Sequence, residues 1–253
     1  MNRLPNIRKL FVPDPGYLWF DLDLNRADLQ VVVWEANDEG LRTALKSGVD
    51  MHMLAARDIY NLPYTDDEIQ EDHPNYPELK KKYYPKRQMA RQGVHAANYG
   101  GSGRPIAMLL SSTVHEAEKF IAAWFGAHPG IKLWHERVEE QLRKTHQVTN
   151  KFGYRRYFFD RIDTILPEAL GWIPQSTVAN VIDSVWENID RELPEVEVLM
   201  QVHDSLGGQI PLAAATRAIA RMKELSLITV PYDPPLVIPT TITTSQISWG
   251  DCH

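Results

Sequence analysis

Cysteine is nearly absent from this chain. Cys252 is the single one among 253 residues, so no internal disulfide can form and a reducing compartment fits. Long apolar runs are missing as well: none approaches the roughly 20 residues that a membrane-spanning helix needs. The opening stretch MNRLPNIRKLF lacks the apolar core of a secretory signal. These absences make a cytoplasmic location the expectation. No internal repeat and no low-complexity tract is present, which leaves out solenoid and tail-like architectures. Excess positive charge is lacking too: the formal net charge is -6, which excludes a surface coated all over in base. What remains is ordinary globular material, 43% hydrophobic and 24% charged. It is long enough to bury a core as one large domain or two small ones.

The cations are unevenly spread. From Leu79 to Arg104 come Lys80, Lys81, Lys82, Lys86, Arg87, Arg91 and Arg104, with no acid. From Leu142 to Phe159 come Arg143, Lys144, Lys151, Arg155 and Arg156, again without acid, beside Phe152, Tyr154, Tyr157, Phe158 and Phe159. Basic segments that carry aromatics fit localised anion binding. They also fit two solvated faces, and composition leaves both readings open.

Along the chain, the aromatic-rich run Tyr17–Asp23 follows a Pro-Asp-Pro-Gly turn and predicts a buried strand. Apolar spacing predicts helices at about 27–35, 39–46, 51–60 and 86–99, the last ending at Gly100-Gly-Ser-Gly103. The Pro- and acid-rich stretch from Pro63 to Pro77 reads as a surface excursion. Thr113 and Glu116 form a capping box for a helix through Phe125, and further helices are expected at about 131–145 and 177–191. Val196–Val202 and Leu206–Ile210 bracket His203-Asp204-Ser205, a hairpin with a polar tip. The threonine-rich tail from Leu236 to Ser248 predicts added strand. Strands that end in Asp, with helices inserted between them, indicate an α+β domain.

Two constellations carry chemistry. Asp23 closes one strand and Asp204 sits at the hairpin tip. Either alone reads as a turn former. Together they make a carboxylate pair for Mg²⁺, which takes oxygen ligands and keeps positions open for phosphates. Such a pair suits phosphoryl transfer, where two metals stabilise the attacking and leaving oxygens. The second constellation is Arg87, Arg91, His95 and Tyr99, four residues apart on one predicted helix. Each step of four drifts only about 40° around the axis, so the set forms one stripe about 18 Å long. It can meet a triphosphate at one end and a base at the other, since the Arg fork bonds two phosphate oxygens at once. A basic surface stripe with Tyr99 tucked into core is the other reading.

These segments resemble the motifs of family A DNA polymerases of the bacterial DNA polymerase I-like, phage type. DLDLNRADLQVVVWEANDEGLRTALKSGVDMHMLAARDIYNL is similar to motif A and its continuation, KRQMARQGVHAANYGGSG to motif B, and MQVHDSL to motif C. They stand in the family's order, IPQSTVAN and the closing SWGD also fit, and the likeness runs from about Leu10 to the tail. The resemblance implies a polymerase palm with an antiparallel sheet and an inserted helical fingers subdomain, the thumb and exonuclease domain missing. The first part of the palm would be 1–35, the fingers 36–160 with the motif B helix at about 86–99, and the second part of the palm 161–253 with the motif C hairpin at about 196–210.

Carried over by position, Asp23, Asp204 and the backbone of Leu24 would hold two Mg²⁺ ions. Arg87 and Arg91 would grip the triphosphate of a dNTP, with Arg91 a candidate proton donor to pyrophosphate. His52 would also touch phosphate, and Asp28, His95 and Tyr99 would border the nucleotide. Gln175 would meet the minor groove of primer-template DNA, and His203 would lie near the primer terminus. The family carries a thumb, and usually an exonuclease domain, ahead of motif A. A separate polypeptide supplying them is therefore expected, and the work would be phage DNA replication in the host cytoplasm.

Four positions depart from the family pattern. Ser205 stands for the second carboxylate of motif C, Arg91 for a lysine, His95 for an aromatic facing the sugar, and Asp28 for a longer glutamate against the ribose 2′-hydroxyl. A single-subunit RNA polymerase shares the palm and the HDS ending, and Gln30 suits it, but Asp28 stands where that family has a small residue. A non-catalytic DNA-binding relic would have no reason to keep Asp23 and Asp204 close together.

Overall fold

The computed structural model describes residues 6–252. After a short 3-10 turn at Ile7–Leu10 the chain forms strand β1 (Tyr17–Leu24) and helices α1 (Ala27–Ala36), α2 (Glu39–Lys46) and α3 (Met51–Tyr60). Helices α4 (Tyr76–Lys82), α5 (Tyr84–Asn98), α6 (Gly103–Leu110), α7 (Val114–Ala127) and α8 (Pro129–Thr145) follow, then a small hairpin of β2 (Gln147–Thr149) and β3 (Arg155–Tyr157). The long α9 (Ile162–Glu192) leads to β4 (Glu197–Val202), β5 (Ser205–Pro211), α10 (Ala215–Leu225), β6 (Thr229–Val230), β7 (Leu236–Val237) and β8 (Thr240–Ser245). Among the described residues no helix is long and apolar enough to cross a membrane.

The chain divides into two compact units. One holds the chain up to Asp28, Lys151–Gly153 and Gln175 onward; the other holds Leu29–Asn150 and Tyr154–Pro174. The first is built on an antiparallel sheet in the order β4-β5-β1-β8. β1 is central because it is apolar enough to be covered: Trp19, Phe20, Leu22 and Leu24 are all buried. The second unit is helical, and Trp124 and Trp134 are its largest fully buried side chains.

The tail adds strand in two pieces: β7 pairs with β6, and only β8 joins the main sheet. Two local readings change in the folded chain. α9 starts fifteen residues before the expected Thr177 and passes through Pro167 and Pro174. Each interior proline removes a hydrogen bond and costs about 3 kcal/mol, so local sequence reads as a break. Burial of Ile165, Ala169 and Ile173 before the break and Val178, Ile182 and Val185 after it outweighs that cost. α6 was hidden behind the glycines that end α5.

Candidate active site

The first unit gathers the acidic residues singled out in the sequence. β1 lies between β5 and β8 with Asp23 opposite Ser205 on one side and Thr241 on the other. The β4–β5 hairpin turns through His203 and Asp204 between the paired Val202 and Ser205, with His203 at a left-handed φ of 56°. The amide of Leu24 donates to the carbonyl of Asp204 at 3.1 Å. That bond stitches the end of β1 to the hairpin tip and sets the two aspartates beside each other. Ser205 is buried, and its Oγ donates to the Val202 carbonyl at 2.9 Å, closing the turn.

The electrostatics follow from this crowding. Asp23 keeps an open side to solvent, yet the protein packed about its carboxyl pushes its pKa up to about 6, helped by repulsion from Asp204 and Asp21 and opposed by Arg8. Burial also raises Asp204, with its own amide and His203 pulling down and Asp28 pushing up. Asp28 is half-buried in the first turn of α1. Asp21, two residues before Asp23 on the same face of β1, accepts the indole N–H of Trp249 at 2.9 Å. Its signal in the sequence was the alternation Asp21-Leu22-Asp23, which puts both acids on one side.

Two mutually repelling, partly desolvated carboxylates favour a cation, and their all-oxygen chemistry suits a hard divalent ion. Among the described residues no three His, Cys, Asp or Glu side chains converge into a metal cluster. A pair of carboxylates leaves several positions of such an ion for phosphate oxygens or water.

The second unit carries the basic stripe on α5. Arg91 and His95 are exposed, Arg87 and Tyr99 half-buried, and the rings of His95 and Tyr99 meet edge-on with centroids 4.7 Å apart. Tyr99 is the last residue of the stripe and the C-cap of the helix. Past it, Gly101 N–H bonds the Ala96 carbonyl at 2.8 Å and Gly100 N–H the Ala97 carbonyl at 3.0 Å, with Gly100 at φ 74°. This is the Schellman closure that the glycine run announces. The helix is held from behind at Gly93, where a Cβ would lie 2.5 Å from Phe120. Asn98 is fixed by Trp124 Nε1 at 2.9 Å, and its carbonyl meets His135 Nε2 at 2.8 Å.

One residue at the root of the stripe escaped the sequence reading. Asp50 is the N-cap of α3, accepting the amides of His52 and Met53, and its other oxygen accepts Tyr76 Oη at 2.8 Å and Arg87 Nε at 2.7 Å. Its side chain is 1% exposed, and these donors hold the carboxyl below its ordinary range despite burial. Asp50 thus joins two of the expected phosphate contacts, Arg87 and His52. An Asp directly before a helical period is the N-cap signature that marks it. Gln175 lies exposed one residue past Pro174 on α9, and His203 is exposed at its turn.

Comparison with known proteins follows this geometry. The model of DNA polymerase family A matches residues 2–246. The thermostable DNA polymerase I of Thermus filiformis is 28% identical over 242 residues, covering 92% of this chain and 27% of the relative. The DNA polymerase of Mycobacterium phage D29 is 23% identical over 247 residues, covering 98% of this chain and 37% of the relative. In fold, the polymerase domain of Pol1 from M. smegmatis, solved in complex with DNA primer-template and dNTP, matches with a TM-score of 0.80 at 22% identity. That match covers 96% of this chain and 42% of the other. The chain thus spans well under half the length of each of these proteins.

Proposed function

Because this chain belongs to DNA polymerase family A, we propose that it is the catalytic portion of a template-directed DNA polymerase. It adds dNTPs to a primer 3′ end on primer-template DNA by two-metal nucleotidyl transfer. The observation that carries this reading is the pairing of β1 with the β4–β5 hairpin. It sets Asp23 beside Asp204 and raises both carboxyl pKa values.

Family A enzymes are metal-dependent, and we assign two Mg²⁺ ions to Asp23, Asp204 and the backbone of Leu24. Bound there, Mg²⁺ would stabilise the attacking 3′-oxygen and the leaving pyrophosphate. Arg87, held in place by Asp50, and the exposed Arg91 bind the triphosphate, Arg91 facing the charge that grows on pyrophosphate. His52 adds a phosphate contact, and His95 and Tyr99 border the sugar and the nascent base pair. Asp28 excludes the ribose 2′-hydroxyl. Gln175 and His203 contact the duplex and the primer terminus. Ser205, its hydroxyl committed to Val202, leaves Asp204 as the acid that the hairpin offers.

Phage DNA replication in the host cytoplasm is the setting we assign, and the phage relative supports it. Exposed apolar side chains on the first unit, Ile7, Leu10, Val12 and Ile247, support docking of a separate polypeptide with the thumb and exonuclease. Primer extension tests the core reading: dNTPs against rNTPs, with Mg²⁺ present or chelated, for the chain and for Asp23→Asn and Asp204→Asn. Extension should need metal and both aspartates. Near-normal extension by either variant would remove the two-metal mechanism.

A further inference from the structure

We propose that the β2–β3 hairpin is a stacking platform for single-stranded DNA, using Arg155, Tyr157 and Phe159. The register pairs Gln147 with Tyr157, Val148 with Arg156 and Thr149 with Arg155. Side chains alternate across a strand, and burial follows that alternation: Val148 and Phe158 are buried, whereas Arg155 and Tyr157 face out. The ladder continues one step past β3, since the Phe158 amide donates to the His146 carbonyl at 2.8 Å. The outward face therefore extends to Phe159, which is 92% exposed; Tyr157 is 56% exposed.

Large aromatic rings left this open are costly unless they have a partner, and Tyr157 and Phe159 stand side by side on one face of a hairpin of a few residues. The chemistry around them selects nucleic acid. No acid occurs from Leu142 to Phe159. Several cations there are already committed: Arg143 to Glu139, Lys144 to Glu140, and Arg156 to Glu168 and the Phe158 ring. Arg155 is the exposed cation on the aromatic face.

Spacing then selects unpaired bases over duplex. Alternate strand residues stand about 6.8 Å apart, twice the ~3.4 Å rise of stacked bases. One base fits between successive side chains, which needs a strand whose bases are free to splay. Duplex bases, already stacked on each other, offer the rings nothing. The inference rests on the polymerase reading only in naming this strand as unpaired template.

The test is direct binding, without metal or nucleotide, so it does not depend on extension. Fluorescence anisotropy would compare a labelled oligothymidylate with a blunt duplex, for the full chain and for Tyr157→Ala, Phe159→Ala and the double variant. Oligothymidylate affinity should fall roughly tenfold per ring removed, while duplex affinity and the melting temperature stay unchanged. Phe159→Trp should retain the affinity that Phe159→Ala loses, and Arg155→Glu should lose affinity and flatten its salt dependence. Unchanged oligothymidylate binding by the double variant would overturn the proposal. So would equal losses for duplex, which would mean a phosphate contact only, or a change in self-association with no change in oligonucleotide binding. Hairpin-dependent binding that persists while primers are not extended, even with a thumb-bearing polypeptide added, would sink the polymerase reading and leave this one standing.

Discussion

Arg87 donates its Nε to Asp50 Oδ2 at 2.7 Å, with 13% of the arginine side chain and 1% of the aspartate exposed. A guanidinium anchored by one edge has lost most of its rotamer freedom before an anion arrives. Its orientation is set by the same carboxylate that caps α3 and receives Tyr76.

Asp50→Ala should therefore act twice. Removing one partner of a buried, hydrogen-bonded pair costs about 3–5 kcal/mol, measurable by urea unfolding. In the population still folded, the dNTP KM should rise because Arg87 is no longer held. Loss of stability with an unchanged KM would mean that Asp50 supports the fold alone.

Arg91 is exposed one turn along the same helix. Arg91→Ala should raise the dNTP KM and lower kcat by about 10–100-fold, since a donor facing developing charge acts mainly in the transition state. Arg91→Lys should recover part of both. If single-turnover kinetics showed a change in DNA affinity alone, the stripe would face template.

Asp23, raised to about 6, makes stability depend on pH in a definite direction. Its folded pKa lies above the unfolded value of about 3.9, so its contribution is fully present below that value. It is lost as pH rises through about 6. In that range the metal-free chain should lose melting temperature with rising pH. Mg²⁺ should restore it more at pH 7 than at pH 5, and Asp23→Asn should abolish that difference. Differential scanning fluorimetry reads all three, and equal Mg²⁺ effects at both pH values would exclude Asp23 from the metal site.

Asp28 reaches one methylene less far than a glutamate, and its charge is felt at Asp204. Asp28→Ala should raise ribonucleotide incorporation relative to deoxyribonucleotide by on the order of tenfold or more. Competition assays measure it, and unchanged discrimination would show that the sugar is excluded elsewhere.

His128 joins Asp38 and Asp58, each at 3.2 Å, in the helical unit. Burial works against its proton, but the two carboxylates prevail and its pKa is raised; both carboxyls are lowered, against burial, by His128 with Arg57 helping at Asp58. The histidine's contribution is complete below its unfolded pKa of about 6.5 and is lost as pH rises through its folded value. The aspartates' contribution is present above about 3.9 and is lost as pH falls through their depressed values. Stability from this cluster should peak between those limits. His128→Gln should remove the alkaline decline in melting temperature and cost about 1.5–3 kcal/mol by taking the imidazolium from between Asp38 and Asp58, which keep the Leu41 amide and Arg57. A parallel, merely displaced pH curve would refute the assignment.

The α+β class, the motif B helix and the motif C hairpin were legible because each depends on local pattern. Asp23 and Asp204 were legible because strand ends and hairpin tips are marked by their own neighbours. The small hairpin at 147–157 was missed as structure, although its composition was visible. Its strands are three residues each, too short for alternation to show. Asp50 read as an unremarkable residue before a helix because Arg87 and Tyr76, its side-chain partners, are 37 and 26 positions away.

By itself the sequence determined which side chains are present, their order, and the strand, hairpin tip or helix that Asp23, Asp204 and the Arg87–Tyr99 stripe occupy. These follow from propensities and periodicities acting over a few residues. Only the tertiary structure decided that α9 continues through two prolines, that Ser205 spends its hydroxyl on Val202, and that Asp23 titrates near 6. Each of these depends on burial and on charges brought close through space. Burial energy and Coulomb repulsion depend on distance in the folded chain and not on separation along it.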